Sequence, residues 1–67
     1  MYTYSKLKGR ITEKFGTQGA LAEKLGISAV SVNKKLNGAT GFSQEDIEAW
    51  AKVLDIKKSE YPAYFFA

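Results

Sequence analysis

Sixty-seven residues suffice for one domain, and a chain this short buries only about 60 % of its unfolded surface, so the core is small. It has no cysteine and no histidine, which excludes disulfide staples, thiolate nucleophiles, the usual zinc ligands and the usual general base near neutral pH. The net charge of +3 is unevenly spread: residues 1–41 hold seven basic side chains against two acidic ones, whereas residues 42–67 hold three against five. That polarity suits a polyanionic partner for the first part, although a solvated surface with random charge placement gives the same count.

The first element is a helix from about Ser5 to Phe15, because Leu7, Ile11 and Phe15 recur at i, i+4 and i+8. Ser5 is its expected N-cap and Gly16 its stop. Gly9 inside it costs about 1 kcal/mol relative to alanine, which calls for either close packing or a solvent-facing position. Thr17 caps a second helix ending at Leu25, with Leu21, Ala22 and Leu25 inward. Gly26 follows where a left-handed residue is expected, and Ile27 is expected to tuck beneath the turn. Ser28 caps a third helix, Ala29 to Leu36, with Val32 and Leu36 facing in, and Asn37-Gly38 stops it.

After a loop from Ala39 to Phe42, Ser43 and Asp46 stand at capping-box spacing before a fourth helix. Its stripe is Ile47, Trp50, Ala51 and Leu54, with Ile56 just beyond. The last segment, residues 57–67, is aromatic and places Pro62 at a turn or first helical position. No stretch alternates with period two. The fold class expected is all-α, with four helices and a short fifth piece. No apolar run approaches the roughly 18 residues of a membrane span, and no signal-peptide core follows Met1, so a cytoplasmic location is expected.

The stretch Thr17 to Gly38, TQGALAEKLGISAVSVNKKLNG, joins two short helices through only Gly26, Ile27 and Ser28. A turn this tight makes the helices cross steeply rather than lie antiparallel. Ala22 is small where they cross, and Leu21, Leu25, Ile27, Val32 and Leu36 are the expected wedge of core. The outer face of the third helix then presents Ala29, Val30, Asn33 and Lys34, with no acid among them.

These residues resemble the helix-turn-helix of the phage Cro and lambda-type repressor family of DNA-binding domains. The likeness rests on Thr17-Gln18 opening the first helix of the pair, Ala22 at the crossing, Gly26 in the turn, Ser28 and Ser31, Val32 in the core, and Asn37-Gly38 after the recognition helix. The flanks extend it: FSQEDIEAWAKVLDI is similar to the helix that comes after the motif in that family, and YSKLKGRI and YFF look like the ends of its small phage regulators. One position departs. Three residues after Val32, where many members carry a core aliphatic, this chain has Lys35, and Leu36 is apolar instead.

The resemblance implies a single lambda-repressor-like domain over residues 1–67, with the helix-turn-helix at 17–38 and the aromatic tail at 57–67. It implies a double-stranded DNA operator as partner, read in the nucleoid of a bacterial host. A homodimer, at least on DNA, would match paired half-sites. No cofactor, metal, small-molecule ligand or membrane partner is implied. The absence of an added sensor or oligomerisation unit fits a Cro-type protein better than a two-domain repressor.

In such motifs the second helix enters the major groove while the first crosses the backbone. Gln18 would then bond a phosphate, helped by helix N-terminal N–H groups, or serve as a simple polar first-turn residue. Ser28 is an N-cap, with a phosphate or base contact in addition. Ala29 and Val30 are an unusual pair on this face: Val30 points outward and offers apolar contact to a thymine methyl, or is merely exposed. Ser31 reaches a base or phosphate, or bonds back to its own helix. Asn33 can pair with adenine, and Lys34 with guanine or phosphate. Lys35, Asn37 and the segment to Thr40 are better placed for phosphates beyond the groove. Lys6, Lys8 and Arg10 are expected to add distant attraction only.

The competing function is a protein-interaction module on the same scaffold, such as an antirepressor or an antitoxin, since fold alone does not separate them. Such a module would carry aromatics, leucines or acids on the face that here holds Ala, Val, Asn and Lys. An enzyme has no constellation to support it; Glu45, Asp46 and Glu48 at a helix start are explained by capping and the helix dipole.

Overall fold

The structure is a computed structural model that describes residues 2–67. The order of elements is α1 (Ser5–Phe15), α2 (Gln18–Leu25), α3 (Ala29–Leu36), α4 (Gln44–Leu54), a 3₁₀ turn (Lys58–Glu60) and α5 (Tyr61–Phe65), with no strand among the described residues. The all-helical expectation therefore holds, and the aromatic tail supplies a true fifth helix.

Short polar caps set most boundaries. The hydroxyls of Thr17, Ser28 and Ser43 accept the N–H groups of Ala20, Ser31 and Asp46. Asp46 in turn accepts Ser43 N–H at 3.0 Å, which completes a capping box. The start of α1 differs from expectation. Ser5 lies inside the helix, and the capping residue is Tyr4, in a left-handed conformation (φ 55°). A non-glycine residue there costs about 1 kcal/mol or more. Two features offset it: the ring of Tyr4 is buried, and its N–H donates to the carbonyl of Ala67 at 3.0 Å.

The core contains every interior stripe position of α3 and α4, and Leu7 and Ile11 of α1: Leu7, Ile11, Val32, Leu36, Ile47, Trp50, Ala51 and Leu54, joined by Leu21, Ala22 and Ile56. Phe15 and Leu25 are only partly buried at its margin. Tyr64 and Phe65 close it from α5. Phe42, from the loop after α3, packs edge-on against Trp50, Phe65 and Tyr4 with ring centroids 4.9–5.3 Å apart. Gly9 faces open space rather than a close neighbour, which settles the choice between packing and solvent.

Candidate nucleic-acid interface

The α2–α3 pair makes the most extensive helix–helix contact in the molecule. Its joint is a Schellman turn: Gly26 N–H donates to the carbonyl of Glu23 at 3.2 Å and Ile27 N–H to that of Ala22 at 3.0 Å. Gly26 takes φ 75°, the conformation this motif requires and only glycine adopts freely. Ala22, Leu21, Val32 and Leu36 pack beneath. Ile27 does not join them. It is 39 % exposed, although its N–H closes the turn.

On α3 the exposed residues are Ala29, Val30, Asn33 and Lys34, and Val30 at 62 % is the most exposed large apolar side chain among the described residues. Ser28 is exposed and Ser31 partly so, their hydroxyls 3.0 Å apart. Asn37 is exposed and donates its side-chain amide to Asn33 Oδ1 at 2.9 Å, across one helical turn. Gln18 is half-buried at the first position of α2, and Thr40 is exposed in the loop. The first turns of α2 and α3 contain no acidic residue, whereas that of α4 contains Glu45 and Asp46. The positive ends of α2 and α3 thus lack a local carboxylate. Glu23 faces elsewhere, lining an open groove with Phe15, Ala20 and Lys24.

Lys35 departs from the expectation of a phosphate contact. Its side chain is only 17 % exposed, and its ammonium donates to Asp46 Oδ2 at 2.7 Å and to the Gly41 carbonyl at 3.3 Å. It also stands 5.7 Å from the centre of the Phe42 ring. The reason is positional. Lys35 lies between the buried Val32 and Leu36, so its stem runs along the protein surface toward α4. The Lys35 hydrogen bond, followed by that from Ser43 N–H, holds the Asp46 carboxyl below its ordinary range.

The uneven charge of the sequence is also partly neutralised inside the fold. Arg10, expected to act at a distance, donates from Nε to the Leu54 carbonyl at 2.8 Å and from Nη2 to that of Asp55 at 3.0 Å, and pairs with Glu13. Lys14 pairs with Asp55, whose carboxyl is lowered by that hydrogen bond and charge. Lys6 stacks 4.9 Å over Tyr64. Lys8, Lys24 and Lys34 are the basic side chains of residues 2–41 that enter no ion pair or aromatic contact among the described residues.

A second surface feature draws on no residue of α2 or α3. Phe42, Gln44, Ile47, Glu48, Lys58, Tyr61 and Phe66 line an open, largely apolar groove of about 560 Å³. No sequence pattern announces it, since its walls come from a loop, α4, the 3₁₀ turn and the aromatic tail. Among the described residues no helix is long and apolar enough to cross a membrane, and no cluster of acidic side chains has the arrangement to hold a metal ion.

No curated protein matches this chain. The family described as "Protein of unknown function (DUF739)" matches over residues 1–67, the full length, and the chain belongs to that family.

Proposed function

We propose that this protein is a sequence-specific, double-stranded DNA-binding transcription regulator, a phage or prophage repressor of the Cro type that acts by occupying an operator. The observation that carries the reading is the outer face of α3. It is exposed, free of acids, and made of Ala29, Val30, Asn33 and Lys34, side chains that suit thymine methyls, base edges and phosphates. Two further features support it. Helices α2 and α3 meet in a glycine turn of the kind that sets one helix across the other. Their N-termini carry no competing carboxylate, so the first-turn N–H groups that Thr17 and Ser28 do not cap are open to phosphate oxygens.

In this reading α3 lies in the major groove, with Val30 and Asn33 at base edges and Lys34 at a phosphate. Gln18, Ser28, Ser31, Asn37 and Thr40 serve the backbone. The test is selection from random duplex DNA, followed by affinity measurement on the selected site. Val30→Ala and Asn33→Ala should each shift preference at one base pair by about 1–3 kcal/mol. Lys34→Met should weaken all sequences and reduce the salt slope by about 0.9. Unchanged base preference in both Val30→Ala and Asn33→Ala would remove α3 as the reading helix.

The protein-interaction reading draws on the groove between Phe42 and Phe66, which contains no residue of α2 or α3. It predicts a partner whose binding is indifferent to Val30 and Asn33 and sensitive to Phe66.

A further inference from the structure

We propose that Lys35 is a positioning residue that sets the loop Gly38–Phe42 against α4, and that it governs DNA affinity without neutralising a phosphate. The inference rests on the DNA-binding reading and deepens it. Lys35 sits in the last turn of α3, yet each of its contacts lies C-terminal to that helix: the Gly41 carbonyl, the Phe42 ring and the Asp46 carboxylate. Asp46 Oδ2 also accepts the Ser43 N–H, so one oxygen ties the end of α3 to the first turn of α4. Phe42 is itself wedged against Trp50, Phe65 and Tyr4. The loop is therefore clamped at two successive residues, Gly41 through its carbonyl and Phe42 through its ring. Thr40 is held between this clamp and the closure of α3, where the N–H groups of Ala39 and Thr40 both donate to the Lys34 carbonyl, at 2.9 and 3.4 Å.

A charge already satisfied by a carboxylate and a carbonyl releases no counterion when DNA binds, whereas an unpaired lysine on a phosphate does. Affinity and salt slope thus separate the two roles. The unaltered chain, Lys35→Met, Lys35→Arg and Lys34→Met are compared on the selected duplex over a range of salt, well below each melting temperature. Amide exchange at Ser43, whose N–H donates to Asp46 Oδ2, is monitored in the same proteins without DNA.

Lys35→Met should weaken binding about tenfold with the slope of the unaltered chain, and should speed exchange at Ser43, whose acceptor Asp46 loses its lysine. Lys35→Arg should restore both, because a guanidinium can still reach Asp46. Lys34→Met should lower the slope by about 0.9 and leave exchange at Ser43 unchanged. A Lys35→Met slope lowered to the same degree, or Lys35→Met binding equal to that of the unaltered chain, overturns the proposal while the DNA-binding reading stands. Failure of the unaltered chain to bind any selected duplex overturns the reading itself, and the proposal with it.

Discussion

Two glycines, one inside α1 and one in the turn after α2, have opposite significance for stability. Gly9 is exposed in the middle of α1, and a Cβ built there meets nothing within 4 Å. Gly9→Ala should therefore raise stability by about 0.5–1 kcal/mol through helix propensity alone. Gly26 also has open space around its Cβ position, but its φ of 75° is left-handed. Gly26→Ala should cost about 1–2 kcal/mol, from backbone strain without any clash. Thermal unfolding of the two variants tests both; melting temperatures moving in the same direction would contradict the argument. The Gly26 strain falls at the joint of α2 and α3, so it bears on how α3 is presented as well as on stability.

At the scale of elements, the C-terminus of α4 is capped from a distance. Its residue Asp55 is left-handed (φ 56°), and its Leu54 and Asp55 carbonyls accept from Arg10 of α1. Arg10→Met should leave the part-buried Leu54 carbonyl unpaired and cost about 1–3 kcal/mol. Lys at this position should recover less than half of that, since an ammonium cannot reproduce the planar fork. Urea denaturation of both variants checks the magnitude, and full recovery by Lys would refute the geometric part. Much of the fold around this junction was legible in the sequence, because Thr17, Ser28 and Ser43 act locally and the apolar stripes of α1, α3 and α4 keep helical spacing. Arg10 and Lys35 were not legible as structural residues. Their partners lie 44 and 11 positions away, and a basic residue reads the same whether it meets a phosphate or a carbonyl. Ile27 misled because the turn signal around Gly26 fixes its N–H bond but not whether its side chain meets the core, and here it is left 39 % exposed. The face of α3 was legible because Val32 and Leu36 fix which side is buried, and the remaining side is then determined.

For the whole molecule, the acid response depends on which elements its two depressed carboxylates join. Asp46 links α4 to α3, and Asp55 links the end of α4 to α1, so α4 is fastened to α3 and to α1 by separate ion pairs. Lys35 is the leading cause for Asp46 and Lys14 for Asp55, and both folded carboxyls lie below their ordinary range. A carboxyl with a depressed folded pKa contributes its stability in full above the unfolded value of about 3.9, and loses it as pH falls through that value toward the folded one. Asp46 is the partly covered member of the two, so its share is less screened than that of Asp55, which stands in solvent. The urea midpoint should therefore be nearly flat from about pH 7 to pH 5 and fall below about pH 4. Asp46→Asn should lower it near neutrality, and the gap to the unaltered chain should close in acid, where the native carboxyl is protonated as well. A gap that stays constant from neutral to acid pH would mean that the Asp46 contribution is capping geometry rather than charge. In that case Lys35 would be fastened chiefly by the Gly41 carbonyl and the Phe42 ring.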